Sequence, residues 1–395
     1  MTLSHRERFH IPRAPGGGEC VYLGTQSLGL QPRSVRAYIE QELKDWELLG
    51  VGGHFHARHP WVEYNKLLTD QTARLVGAQP LEVVTMNSLT VNLHLMMVSF
   101  YRPIAQRHRI VMEEHAFPSD RYAVKSQIRF HGFDPVESLV TVAGEDELDD
   151  LLDREGESIA LVLMGGVNYS SGRAFDLARV TRAGHAKGCI VGFDLAHVAG
   201  NLVLKLHEWD ADFAAWCTYK YLSGGPGSAG GCFVHERYAH DESLPRFAGW
   251  WGHDLETRFR MGPDFQATPG AEGWQVSNPP VVALAALRAS MDLFDEAGME
   301  RLRARSVELT GYLELSLDRH GDRGFAILTP RDPERRGAQL SIRVPGPVRD
   351  VWERLAAVGV VCDWREPDIL RVAPAPLYNT FEDIDRFVDA FVRSL

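Results

Sequence analysis

From about residue 80 onward, short runs rich in Val, Ile, Leu and Phe alternate with stretches whose apolar residues recur every three or four positions. Short continuous apolar runs suit strands buried on both faces, and the helical spacing between them suits crossover helices that cover a mostly parallel sheet. The pattern predicts strands over 82–86, 109–113, 158–164, 189–194, 212–218 and 231–235, with helices over 89–100, 119–127 and 177–187. After Asn278, Pro279 and Pro280 the spacing turns helical over 281–317, with Gly298 as an internal break. The tail predicts strands near 325–329, 339–344, 360–362 and 369–373, and a helix over 348–358. A last helix opens at Thr380, whose hydroxyl and the Asp383 carboxylate form a capping box.

This order of elements predicts an α/β chain: a large, mostly parallel-sheet domain over 61–285 and a small α+β domain over 286–395. Residues 1–60 form an N-terminal segment expected to join the small domain and the entrance to the active site. The formal net charge of -11, with no compensating basic cluster, disfavours a phosphate-backbone partner, so no nucleic acid is expected. No stretch approaches the ~18 apolar residues of a membrane span, and the N-terminus carries charges and a glycine run where a secretory leader needs an apolar segment. Five scattered cysteines without a CxxC pair argue against a disulfide framework or a zinc site and suit a cytoplasmic location. His54 and His56 form an H-x-H pair with no acid or cysteine cluster beside it, so no metal is expected.

The chemistry starts at WCTYKYLSGGPGSAG, where Lys220 follows an apolar run. A lysine stripped of water becomes available as an amine nucleophile; the alternative is a buried stem with a solvated ammonium. Gly225, Gly227 and Gly230 spell G-x-G-x-x-G, but a strand follows them where a dinucleotide site needs a helix. A better phosphate site is the helix opening in MNSLTVN, where Leu89 and Thr90 offer backbone and hydroxyl donors. In IVGFDLAHVAG, Asp194 ends an apolar strand and His197 follows; Asp194 either faces a cation or caps the next turn. In AFPSDRYA, Phe117 can stack on a flat ring and Asp120 can contact a cofactor. A phosphate cradle, a stacking aromatic, a buried acid and a buried lysine together are what pyridoxal phosphate requires.

The strings TQSLGLQPR, NSLTVNLHL, AFPSDRYA, AKGCIVGFDLAHVAGN, WCTYKYL, GWWGH, VSNPP, LTGYLE and RVAPAPLYNTF closely resemble kynureninases, pyridoxal-phosphate hydrolases of fold type I, from about residue 20 to the C-terminus. The resemblance implies hydrolysis of the Cβ–Cγ bond of L-kynurenine or 3-hydroxy-L-kynurenine to the matching anthranilate and L-alanine. It also implies a homodimer with the site at its interface, and a place in tryptophan catabolism and NAD biosynthesis; a biosynthetic variant acting on a substituted kynurenine is the alternative.

Carried over by motif, Lys220 resembles the Schiff-base lysine and Asp194 the partner of the pyridine nitrogen. Leu89, Thr90, Phe117, Asp120, His197 and Tyr219 resemble the remaining cofactor contacts, and Tyr219 is also the candidate proton donor. Trp250 and Asn278 resemble residues reaching the cofactor and substrate from the neighbouring subunit. Arg371 resembles the clamp for the substrate carboxylate, with a structural salt bridge as its alternative, and His54 resembles a residue at the aromatic end of the pocket. Ser27 and Ser277 are candidate partners of the hydrated carbonyl. Gly165 stands where the family usually carries a hydroxyl near the phosphate.

Among rivals, a cysteine desulfurase would need a reactive cysteine in a loop before the terminal strands, yet none lies between Cys232 and Cys362. An aminotransferase would convert alanine to pyruvate. A non-catalytic binding protein of the same fold would be expected to lose Lys220 or Asp194.

Overall fold

The computed structural model describes residues 5–395. Its strands in chain order are β1 (Val21–Tyr22), β2 (Val83–Met86), β3 (Arg109–Glu113), β4 (Leu139–Val142), β5 (Ile159–Gly165), β6 (Ile190–Asp194), β7 (Phe213–Trp216), β8 (Gly230–Val234), β9 (Ala326–Ile327), β10 (Leu340–Arg343), β11 (Val360–Val361), β12 (Asp363–Arg365) and β13 (Ile369–Val372). The large sheet has the order β2-β8-β7-β6-β5-β3-β4. Only β8 opposes its neighbours; β4, β3, β5, β6 and β7 pair in parallel. Strands β2 to β7 therefore point one way, and their C-terminal ends share one edge, where ligands of open α/β sheets bind.

The period-2 alternation of side chains divides the strands between two apolar layers. Val111, Val162, Phe193 and Ala214 enter one core, while Ile110, Met112, Leu161, Leu163 and Ala215 enter the other. Both faces are dry, so these strands read as continuous apolar runs in the sequence. At about 1.5–3 kcal/mol per fully buried Val, Leu, Ile or Phe, this double layer supplies the rigid frame from which the loops at the sheet edge project.

Helices Val281–Ala297 and Met299–Asp318 meet at Gly298, whose φ of 77° breaks the run where the sequence predicted. They lead to an antiparallel sheet of order β12-β13-β10-β9, backed by helices Val348–Ala357 and Phe381–Ser394. Thr380 and Asp383 form the predicted capping box of the last helix. The N-terminal segment joins this unit: β1 pairs with β11, Gly24 bridges Ala373, and Arg6 binds Asp383.

The tail strands are shorter than predicted, and β12 and the Val35–Leu49 helix are elements the apolar pattern did not mark. That helix exposes Leu43, Trp46, Leu48 and Leu49, so apolar residues lie on its outer face as well and blur the helical period.

Candidate active site

Five strand ends converge on one cavity of about 460 Å³. Met86 of β2 leads through Asn87 into the Leu89–Phe100 helix, and Ser88, Leu89 and Thr90 line the cavity. The Ser88 side chain makes no capping bond among the described residues, which leaves the first helical N–H groups to a ligand. A second helix, Pro118–Phe130, starts alongside, and its Ser119 hydroxyl lies 2.8 Å from Thr90 Oγ1. Two helix N-termini and two hydroxyls at one point form a strong anion cradle.

Glu113 ends β3, Gly165 ends β5 and Asp194 ends β6, and all three border the cavity with Asp120. The Gly165 N–H donates to Glu113 Oε2 at 2.8 Å. A Cβ on Gly165 would sit 2.6 Å from Glu113 Oε1, so the carboxyl occupies the space that a side chain at this position would use. Burial pushes Glu113 up to about 7. Burial, reinforced by the adjacent Asp194 charge and a hydrogen bond to it, raises Asp120 well above the usual carboxylate range. The buried Asp120 Oδ1 has no hydrogen-bond partner among the described residues. Asp194 Oδ1 is held by the Ala196 N–H at 2.7 Å.

Lys220 follows β7 and is half-buried; its Nζ lies 3.1 Å from His197 Nε2. Burial, and next the Lys220 charge, hold His197 well below its ordinary range, so its ring is neutral and Nε2 accepts from the lysine. Its buried Nδ1 has no partner among the described residues. The ring of Phe117 lies 6.0 Å from Lys220 Nζ and meets Tyr169 edge-on at 5.1 Å. Burial raises the Tyr219 phenol, which therefore keeps its proton. The N-terminal segment closes over the lysine loop: the Gly29 N–H donates to Tyr219 O at 2.9 Å, which brings Ser27 to the cavity wall.

Arg371, 1% exposed, reaches the cavity from β13. It donates to Tyr169 O at 2.7 Å and forms an ion pair with Asp363, the salt bridge given above as its alternative. The Ser27 hydroxyl also donates to Asp363.

Of the residues singled out from the sequence, Ser27, Leu89, Thr90, Phe117, Asp120, Gly165, Asp194, His197, Tyr219, Lys220 and Arg371 therefore line one cavity. His54, Trp250, Ser277 and Asn278 do not line it within this chain. They belong to an outer surface: Phe55, next to His54, meets Phe259 at 5.7 Å, and Phe259 meets Trp250 at 5.4 Å. Gly249 packs on Val276 so closely that a Cβ would lie 2.1 Å from its carbonyl oxygen, which sets Trp250 beside the exposed Ser277 and Asn278. The cavity also holds Gln26, Glu113, Ser119, Tyr169 and Arg365, which the sequence reasoning did not select. Glu113 carried a usable signal, because it ends an apolar strand as Asp194 does.

Solved structures share this architecture. A cysteine desulfurase from Thermococcus onnurineus NA1 superposes with a TM-score of 0.80 at 17% identity, covering 97% of this chain and 98% of that one. A mutant of C-DES with glycine covalently linked to the PLP cofactor gives 0.81 at 17% identity, covering 98% of each chain. The architecture is fold type I of the pyridoxal-phosphate enzymes. Residues 302–391 match the family model described as kynureninase C-terminal domain. A kynureninase of Koribacter versatilis is 66% identical, covering 99% of this chain and 94% of its own, and one of Myxococcus xanthus is 60% identical, covering 97% and 92%. The chain belongs to the kynureninase family.

Proposed function

We infer that this chain is a pyridoxal-phosphate-dependent hydrolase that cleaves the Cβ–Cγ bond of L-kynurenine or 3-hydroxy-L-kynurenine, giving the matching anthranilate and L-alanine, in tryptophan catabolism. The observation that carries the reading is the convergence of Lys220, the Asp120–Asp194 pair and the Thr90–Ser119 cradle on one cavity in a chain of this family. The residues suit the cofactor. Free helix N–H groups and two hydroxyls match a phosphate, and the unpartnered Asp120 Oδ1 and His197 Nδ1 await polar partners. When bound, pyridoxal phosphate supplies an electron sink conjugated to the substrate α-carbon.

The chain's own groups do the rest. Lys220 Nζ is the amine that holds the cofactor and, once freed, moves the α-proton. Neutral His197, accepting from that amine at 3.1 Å, orients it. Burial favours the protonated forms of Asp120 and Glu113, and Asp194 beside them would partner the pyridine nitrogen of the cofactor. Arg371 binds the substrate carboxylate through a charge-assisted hydrogen bond. Tyr219, kept protonated by burial, delivers a proton to the departing fragment.

The active unit is a homodimer in which His54, Trp250, Ser277 and Asn278 of one subunit complete the cavity of the other. Their place on the outer surface, flanked by exposed Trp46, Val51 and Phe55, supports this. Five buried cysteines, none in a disulfide among the described residues, support a cytoplasmic location, and among those residues no helix is long and apolar enough to cross a membrane. Residues 61–285 bind the cofactor, while 1–60 and 286–395 close over the substrate.

The test is product analysis with cofactor-loaded protein on L-kynurenine and 3-hydroxy-L-kynurenine in parallel. Equal amounts of alanine and the matching anthranilate are expected, and the ratio of kcat/KM values names the preferred ring. Bound cofactor without cleavage of either compound would overturn the reading.

A further inference from the structure

The carboxylate end of the cavity is more elaborate than one arginine. β12 and β13 are antiparallel with Asp363 directly opposite Arg371, and Arg365 lies two residues beyond Asp363 on the same strand. Directly opposed residues share a face, as do residues two apart, so all three side chains leave the sheet on one side. Arg365 and Arg371 both line the cavity, and the Cζ of each lies 6.0 Å from the centroid of the Tyr169 ring.

Asp363 is saturated. It accepts from Arg371 and from Ser27, from the Trp364 N–H at 2.6 Å, and from Arg365 Nη1 at 2.7 Å. Moving it would strand a guanidinium that is 1% exposed, so it is held in place. Arg371 spends Nη1 on Tyr169 O and Nη2 on Asp363, and its buried Nε has no partner among the described residues. Among the described residues Arg365 is anchored through Nη1 alone, to Asp363 and to Trp364 O at 2.6 Å. Two guanidinium groups against one carboxylate leave one net positive charge at the end of the cavity, matched to a single carboxylate on the ligand.

We propose that Arg365 is a second guanidinium that binds the substrate carboxylate, and that Asp363 is a positioning residue that holds both arginine forks for it. This rests on the cavity being an amino-acid site, as inferred above. The carboxylate bonds to Arg371 Nε and to the free side of the Arg365 fork, while Asp363 stays between them. An amine of similar size without a carboxylate gains nothing from any of the three residues.

The test uses cofactor-loaded protein and the absorption spectrum of the bound cofactor, titrated with L-alanine and, separately, with ethylamine. Asp363→Asn and Arg365→Ala are each expected to weaken L-alanine by at least about tenfold, as loss of a charge-assisted contact implies. Ethylamine affinity should stay within about twofold, and cofactor affinity and Tm should be unchanged in Arg365→Ala. Should Asp363→Asn fail to fold, the half-exposed Arg365 still decides the matter alone. Unchanged L-alanine affinity in Arg365→Ala, or equal weakening of L-alanine and ethylamine, would overturn the proposal. Wild-type protein that binds L-alanine but does not cleave kynurenine would remove the reaction assigned above and leave this proposal standing.

Discussion

Gly29→Ala perturbs the joint between the N-terminal segment and the lysine loop. A Cβ there would lie 2.4 Å from Lys220 O, 2.3 Å from Ser223 Oγ and 2.8 Å from Ser223 Cα. A rotamer change moves only the hydroxyl, so the two backbones must part and the 2.9 Å bond from the Gly29 N–H to Tyr219 O is stretched. Overpacking of this kind costs about 1–3 kcal/mol, and the lost hydrogen bond adds about 1 kcal/mol. The sum predicts about 2–4 kcal/mol of destabilisation in denaturant unfolding of the apoprotein. Gly311 is the matched control: it is helical, a Cβ added there would meet no atom within 4 Å among the described residues, and Gly311→Ala should stabilise by about 0.5–1 kcal/mol. Because Ser27 and Lys220 sit on either side of the joint, Gly29→Ala should also weaken L-alanine binding to the holoenzyme. A Gly29→Ala protein within about 0.5 kcal/mol of wild type would refute the close approach and the coupling built on it.

Thr90→Val removes one of the two hydroxyls of the anion cradle and should weaken cofactor affinity about tenfold to a hundredfold, the equivalent of about 1.5–3 kcal/mol for a hydrogen bond to a charged group, measured by equilibrium titration of the apoprotein. Burial and the Asp194 charge raise Asp120, so Asp120→Asn should lower cofactor affinity less than about tenfold, whereas Asp194→Asn should lose far more; equal losses would refute this division between the two acids. Glu113, raised from 4.5 to about 7, binds more protons in the native apoprotein than in the unfolded chain across that interval, so its contribution to stability falls as pH rises through it. At about 1.4 kcal/mol per pH unit the ceiling is about 3.5 kcal/mol, and Glu113→Gln, which can still accept the Gly165 N–H, should flatten that slope in denaturant unfolding measured from pH 4.5 to 7.

The parts of the fold that local pattern controls were legible in the sequence. The Arg109–Glu113 strand and the Leu89–Phe100 helix have the predicted bounds, because strands buried on both faces and crossover helices leave an uninterrupted apolar signature. The Val35–Leu49 helix was not, because Trp46 and Leu48 expose apolar surface that breaks its period. Asp194 and Lys220 were legible because each sits at or just past the end of an apolar strand, and Thr90 and Asp120 because each opens a helix that follows one. Glu113 has the same position and passed unnoticed among two consecutive acids, Glu113 and Glu114. The Asp363–Arg371 pair was beyond local reading, since the register of β12 on β13 sets it. His54, Trp250, Ser277 and Asn278 were marked by resemblance, and within one chain they form a surface cluster apart from the cavity.

The most direct test of the central claim is to reduce the cofactor-loaded protein with borohydride, map the pyridoxyl-labelled peptide by mass spectrometry, and assay alanine release from L-kynurenine by the wild type and by Lys220→Ala. One label per chain on Lys220, with turnover abolished in the variant, is the predicted result. A label on any other lysine, or substantial alanine from Lys220→Ala, would contradict the assignment of this cavity as the catalytic site.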